Sequence, residues 1–134
     1  MHTYTIEYPT SVTYTGKKLK PAVVITTDDD ITLASNEYSV KYSNNKNSGI
    51  GTFKITLKKS YKSDKLYLSS QYFNFTIEPI DVSTGSGTVT LNKSGAVKKV
   101  VFNGKKLKKN RDYKPYESIR AIEFVGNYDG ILYY

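Results

Sequence analysis

The chain has 134 residues, 38% of them hydrophobic and 24% charged, a globular composition of a length that suits one domain or two small β-units. Twenty Lys plus Arg against twelve Asp plus Glu leave a net charge of +8, which favours acidic partners without naming one. With no Cys and no Trp there is no disulfide framework, thiol nucleophile or zinc-thiolate site, and the single histidine, His2, cannot assemble a histidine metal cluster.

The chain start, Met1-His2-Thr3-Tyr4, is not the basic-then-apolar opening of a secretory signal, and no apolar run approaches the ~20 residues needed to cross a bilayer. Period-two alternation then dominates. In residues 3–8, Tyr4, Ile6 and Tyr8 alternate with Thr3, Thr5 and Glu7, which predicts a strand with one buried and one wet face. Ala22-Val23-Val24-Ile25 is a continuous apolar run suited to a more buried strand. Alternation returns in Tyr38-Ser39-Val40-Lys41-Tyr42, in residues 53–58, and in Phe73-Asn74-Phe75-Thr76-Ile77. Turn-forming clusters separate these runs, at Thr15-Gly16-Lys17, Asp28-Asp29-Asp30, the Asn-rich residues 43–49, and Lys62-Ser63-Asp64. Helical spacing is nowhere sustained, so the fold class predicted is all-β, an antiparallel sandwich. The chain stops on Ile131-Leu132-Tyr133-Tyr134, a β-type run with no closing turn, which reads as a cut within a longer polypeptide.

Pro79 and the small, polar, glycine-bearing residues 81–87 mark the expected boundary, giving modules at 1–79 and 80–134. Self-comparison supports two related units. Val12-Thr13-Tyr14-Thr15-Gly16-Lys17-Lys18-Leu19-Lys20 returns as Val100-Val101-Phe102-Asn103-Gly104-Lys105-Lys106-Leu107-Lys108, with six of nine positions identical. Glu37-Tyr38 is echoed by Asp112-Tyr113, and Lys59-Ser60-Tyr61 by Gly126-Asn127-Tyr128, in the same order. The interval between the glycine and the later tyrosine is shorter in the second copy, so that copy is expected to lack a strand-and-turn segment and to be abbreviated or truncated.

Three motifs in the first unit carry a resemblance. They are Tyr14-Thr15-Gly16 leading to Pro21-Ala22-Val23, then Glu37-Tyr38-Ser39-Val40-Lys41-Tyr42 running into the Asn-rich turn and Gly49, and finally the aromatic-led strand Tyr72-Phe73-Asn74-Phe75-Thr76-Ile77. Over about residues 3–79 the chain resembles the immunoglobulin-like repeats found in tandem in surface and secreted proteins of Gram-positive gut bacteria. The family often has a Gly-Asn-Tyr-Gly turn where this unit has Lys59-Ser60-Tyr61-Lys62; the second unit shows it nearly intact as Gly126-Asn127-Tyr128-Asp129-Gly130. The resemblance implies an immunoglobulin-like sandwich at an extracellular or cell-surface site, acting as a non-enzymatic spacer and adhesion module. Its partners would be neighbouring domains of the same parent chain; the lack of a spanning apolar run predicts no membrane insertion, and the chain is expected to be monomeric.

The residues themselves offer a second function, binding of carbohydrate or of an anionic wall polymer. Thirteen tyrosines allow a sugar-stacking platform, with Tyr61 and Tyr67 as candidates, while Tyr38 and Tyr42 share a face with Val40 and suit core packing. The lysine cluster Lys105, Lys106 and Lys108 is the basic candidate, in the half of the chain with the larger positive excess; lysines on strand edges also discourage aggregation. No nucleic-acid module accompanies the charge. Asp28-Asp29-Asp30 lacks the glycine and glutamate spacing of a calcium loop and reads as a solvated turn, so no metal or cofactor is expected. Gly16 and Gly104 read as turn glycines rather than a phosphate cradle. Asn74 is the position to inspect for a lysine-asparagine isopeptide crosslink. Catalysis lacks a cast, because Glu37 and Asp112 occupy equivalent repeat positions and His2 lies at the ragged chain start.

Overall fold

The alternating runs become strands in a computed structural model, which describes residues 2–64 and 72–134. The described residues form an all-β fold of thirteen strands with three short 3-10 turns. They divide into two compact units, Met1–Ile77 and Glu78–Tyr134.

In the first unit, β1 (Tyr4–Glu7) pairs antiparallel with β3 (Val24–Thr27), Ile6 lying opposite Ile25. A four-stranded sheet takes β2 (Ser11–Thr13), β6 (Tyr72–Glu78), β5 (Gly49–Leu57) and β4 (Tyr38–Ser43) in the order β2-β6-β5-β4. Period two then sorts the residues: Phe53, Ile55 and Leu57 of β5 and Phe73, Phe75 and Ile77 of β6 are buried, joined by Ile25 of β3. Removing each such side chain from water contributes about 1.5–3 kcal/mol. Phe53 and Phe73, partners across β5 and β6, stack with centroids 5.2 Å apart, and Tyr8 meets Phe53 edge-on at 4.9 Å. Gly51 is buried in β5 against the Phe75 ring, which leaves no room for a Cβ. The apolar run at residues 22–25 differs from its expected continuous burial. Val23 and Ile25 are buried but Val24 is 43% exposed, since β3 belongs to a two-stranded sheet with one wet face.

The second unit has a three-stranded sheet, with β9 (Val97–Phe102) between β8 (Gly87–Leu91) and β10 (Lys105–Lys106). Asn103 and Gly104, at φ 48° and 81°, form the β9-β10 turn with both central residues left-handed, the conformation that Asn-Gly favours in two-residue hairpins. Its other sheet runs β11-β12-β13-β7, from β11 (Tyr113–Tyr116), β12 (Ala121–Phe124), β13 (Tyr128–Tyr133) and β7 (Ile80–Asp81). Val100, Phe102, Leu107, Tyr113, Ile122, Phe124 and Tyr128 supply its core.

Residues 81–87 lie within the second unit. Ile80 and Asp81 join β13 as a parallel strand, and the Asp81 carboxylate accepts from Ser83 N at 2.9 Å and Ser83 Oγ at 2.7 Å, starting a 3-10 turn at Val82–Thr84. The short polar sequence is a capped turn inside the unit. The shorter interval between the second copy's glycine and tyrosine also has a specific form. β11 and β12 follow Asp112 as β4 and β5 follow Glu37, whereas β10 aligns with Lys17-Lys18 and, among the described residues, no strand corresponding to β3 lies between β10 and β11.

Candidate functional site

The acids of the two acid-tyrosine pairs each close the preceding turn with a side-chain and a backbone bond, to the third residue before Glu37 and the fourth before Asp112. Glu37 Oε1 accepts from Ala34 N at 2.7 Å while Glu37 N donates to Ala34 O at 2.9 Å; Asp112 Oδ2 accepts from Lys108 N at 2.8 Å while Asp112 N donates to Lys108 O at 2.8 Å. The Glu37 carbonyl then accepts from Lys58 N, and the Asp112 carbonyl from Val125 N. Next comes a residue in the left-handed region, Lys59 at φ 56° or Gly126 at φ 66°, and Tyr61 N or Tyr128 N closes the turn onto the Lys58 or Val125 carbonyl. Each carboxylate is thus committed to its own loop. Burial alone would raise the Asp112 carboxyl, but the Arg111 guanidinium and the Lys108 N–H, with the Lys105 charge, outweigh it and hold the group below the usual carboxylate range. Arg111 grips it with both Nε and Nη2, the latter at 2.7 Å.

The tyrosines of β4 lie over the segment before β3. Tyr38 Oη donates to Val23 O at 3.3 Å and Tyr42 Oη to Pro21 O at 2.5 Å, so both half-buried rings hold backbone. Asn45, a buried residue that sequence patterning did not single out, donates to Leu19 O and accepts from Leu19 N through its backbone carbonyl, each at 2.7 Å. Its place in an Asn-rich run hid it. Asn74 is exposed on the outer face of β6, with Thr52 across the strand pair.

Tyr61 is half-buried in the 3-10 turn Lys59–Tyr61, its ring 5.5 Å from His2 and 6.2 Å from Tyr4. Tyr67 lies outside the described residues. Around Tyr61 the fold gathers groups far apart in sequence. Tyr4 Oη donates to Asp64 Oδ2 at 2.6 Å, and His2 Nδ1 lies 3.2 Å from Asp28 Oδ1 and 3.6 Å from Asp29 Oδ2. The hydrogen bond from His2 holds the Asp28 carboxyl low, and the Tyr4 hydroxyl does the same for Asp64. Burial and the neighbouring Asp64 charge push the Tyr4 phenol up. The His2-Asp28-Asp29 grouping is close enough to bridge a small cation, and the histidine-aspartate hydrogen bond accounts for its spacing without one.

Lys105 and Lys106 are exposed neighbours on β10, so strand alternation sends them to opposite faces, and Lys108 is exposed beyond the buried Leu107. The cluster does not form one face. A different lysine pair does. Lys41 of β4 lies opposite Lys54 of β5, which lies opposite Tyr72 of β6, a row across three strands on the solvent side of the first unit's sheet. The Lys54 ammonium is 5.5 Å from the centroid of the Tyr72 ring, which is 63% exposed. In the second unit, Tyr116 and Tyr133 flank Ala121 in register, and with Ile119 and Ile131 they form an exposed apolar trough of about 200 Å³. Alternation alone predicts which of these side chains face water; their alignment depends on register, which no local pattern encodes.

Compared with known proteins, the chain matches no protein-family model, no curated protein and no solved structure.

Proposed function

We propose that the chain is a pair of immunoglobulin-like modules serving as a non-enzymatic spacer and adhesion segment of a larger bacterial surface protein. The observation that carries this reading is the shared loop closure. The acid and the second tyrosine make corresponding backbone bonds in both units, on either side of a left-handed turn residue, as expected of one module used twice. The resemblance of residues 3–79 to tandem surface repeats supports the extracellular setting and neighbouring domains as partners, with the chain monomeric. Pulling the chain between its ends tests it: two separate unfolding steps, one for each unit, are expected. One all-or-none step, or hydrolytic turnover of a polysaccharide by the purified chain, overturns it.

A second reading, binding of carbohydrate or an anionic wall polymer, is favoured by one observation. Tyr72, Tyr116 and Tyr133 present exposed rings on sheet faces of a chain with net charge +8.

A further inference from the structure

We propose that the solvent side of the β4-β5-β6 sheet binds an acidic polysaccharide built of uronic-acid pyranoses, with Tyr72 stacking on a sugar ring and Lys41 and Lys54 meeting its carboxylates. The proposal rests on the second reading above and gives it a location and a ligand class. Lys41, Lys54 and Tyr72 are successive cross-strand partners, so at ~4.8 Å per strand the row spans ~10 Å. Two ammonium groups directly opposite each other destabilise a ladder. The adjoining row, Ser43, Thr52 and Asn74, contributes hydroxyls and an amide but no carboxylate. Glu78, the acidic residue on β6, is six residues from Tyr72, or ~20 Å along the strand. The buried sides of these strands are filled by aromatic and aliphatic packing, and the lysine pair adds nothing to it. Among the described residues no carboxylate pairs with Lys41 or Lys54, and their charge is complementary to an anion.

The ring narrows the choice of anion. A shallow cavity of about 210 Å³ is lined by Lys41, Ser43, Thr52, Phe53, Lys54 and Tyr72. The Lys54 ammonium lies over the Tyr72 ring, 5.5 Å from its centroid, so a sugar that displaces it from that face would receive it at an acid group. Thr52 and Asn74 supply partners for sugar hydroxyls. A polyol-phosphate chain has no ring to stack on Tyr72. Single-stranded nucleic acid uses successive aromatic platforms, whereas this row has one.

Titration calorimetry on the whole chain tests the proposal, with oligogalacturonate and oligomannuronate as probes beside neutral galactan, poly(glycerol phosphate) and oligo-dT. Binding to the uronates with little to galactan is expected. Tyr72→Ala should weaken it about tenfold and Tyr72→Phe restore it, as ring stacking requires. Lys41→Gln and Lys54→Gln should each weaken it and flatten its salt dependence, while Lys105→Gln leaves it unchanged. All these side chains face solvent, and a thermal melt of each variant checks the fold. Uronate binding indifferent to all changes at Tyr72, Lys41 and Lys54 overturns the location and leaves the carbohydrate reading standing. Tighter binding of glycerol phosphate or oligo-dT overturns the ligand class. Failure to bind any polymer sinks both.

Discussion

Lys59 and Gly126 hold the same left-handed turn, at φ 56° and 66°, but only glycine does so without a steric cost. Lys59→Gly should therefore stabilise the first unit by about 0.5–1 kcal/mol, the relief of strain less the extra freedom that glycine gives the unfolded chain. Gly126→Ala should cost about 2 kcal/mol, since its Cβ would also come within 2.8 Å of the Arg111 carbonyl oxygen. Urea midpoints measure both, and a lysine as stable there as glycine would mean that the turn is not strained. Asp112 is the other residue on which a loop depends. Asp112→Ala removes acceptors from the Lys108 N–H and the Arg111 guanidinium and should cost about 2–3 kcal/mol at neutral pH. Because the folded carboxyl is held low, its contribution is complete above the unfolded value of ~3.9 and disappears as pH falls through the folded value. The stability gap between wild type and variant should narrow below about pH 4; a gap that stays constant there would refute the charge-based account.

At the scale of elements, the close approach of β5 and β6 depends on Gly51, whose missing Cβ makes room for the Phe75 ring. Gly51→Ala should cost about 1–3 kcal/mol by overpacking, and Phe75→Leu should cost less in that background than in the wild type. Additive losses in the double variant would mean that the two residues do not share one space. Strand existence was readable from alternation at Tyr4, Tyr38, Phe53 and Phe73, because burial on one face needs no knowledge of the partner strand. The Asn103-Gly104 and Thr15-Gly16 turns show where repeat homology stops short. Asn103 adopts φ 48° and permits a tight hairpin, while in the first copy only Gly16 is left-handed and Thr15 Oγ1 instead accepts from Lys17 N. The row of Lys41, Lys54 and Tyr72 was hidden for a related reason: its members are far apart in sequence and meet only through pairing register.

Across the whole molecule, two copies of one pattern use different strand inventories around a common loop closure. Alternation and turn spacing identified the all-β class, but the pairing of residues 80–81 was not legible, since no local pattern names a remote partner strand. Ile80 pairs with Tyr128 and Asp81 with Asp129. That parallel pairing governs the order of assembly. β13 lies between β12 and β7, so the earlier of its two flanking strands must wait, edge exposed, until nearly the last residues of the unit have left the ribosome. Vectorial synthesis therefore leaves the second module a late, concerted closure, with nascent β7 in need of shielding from other chains meanwhile.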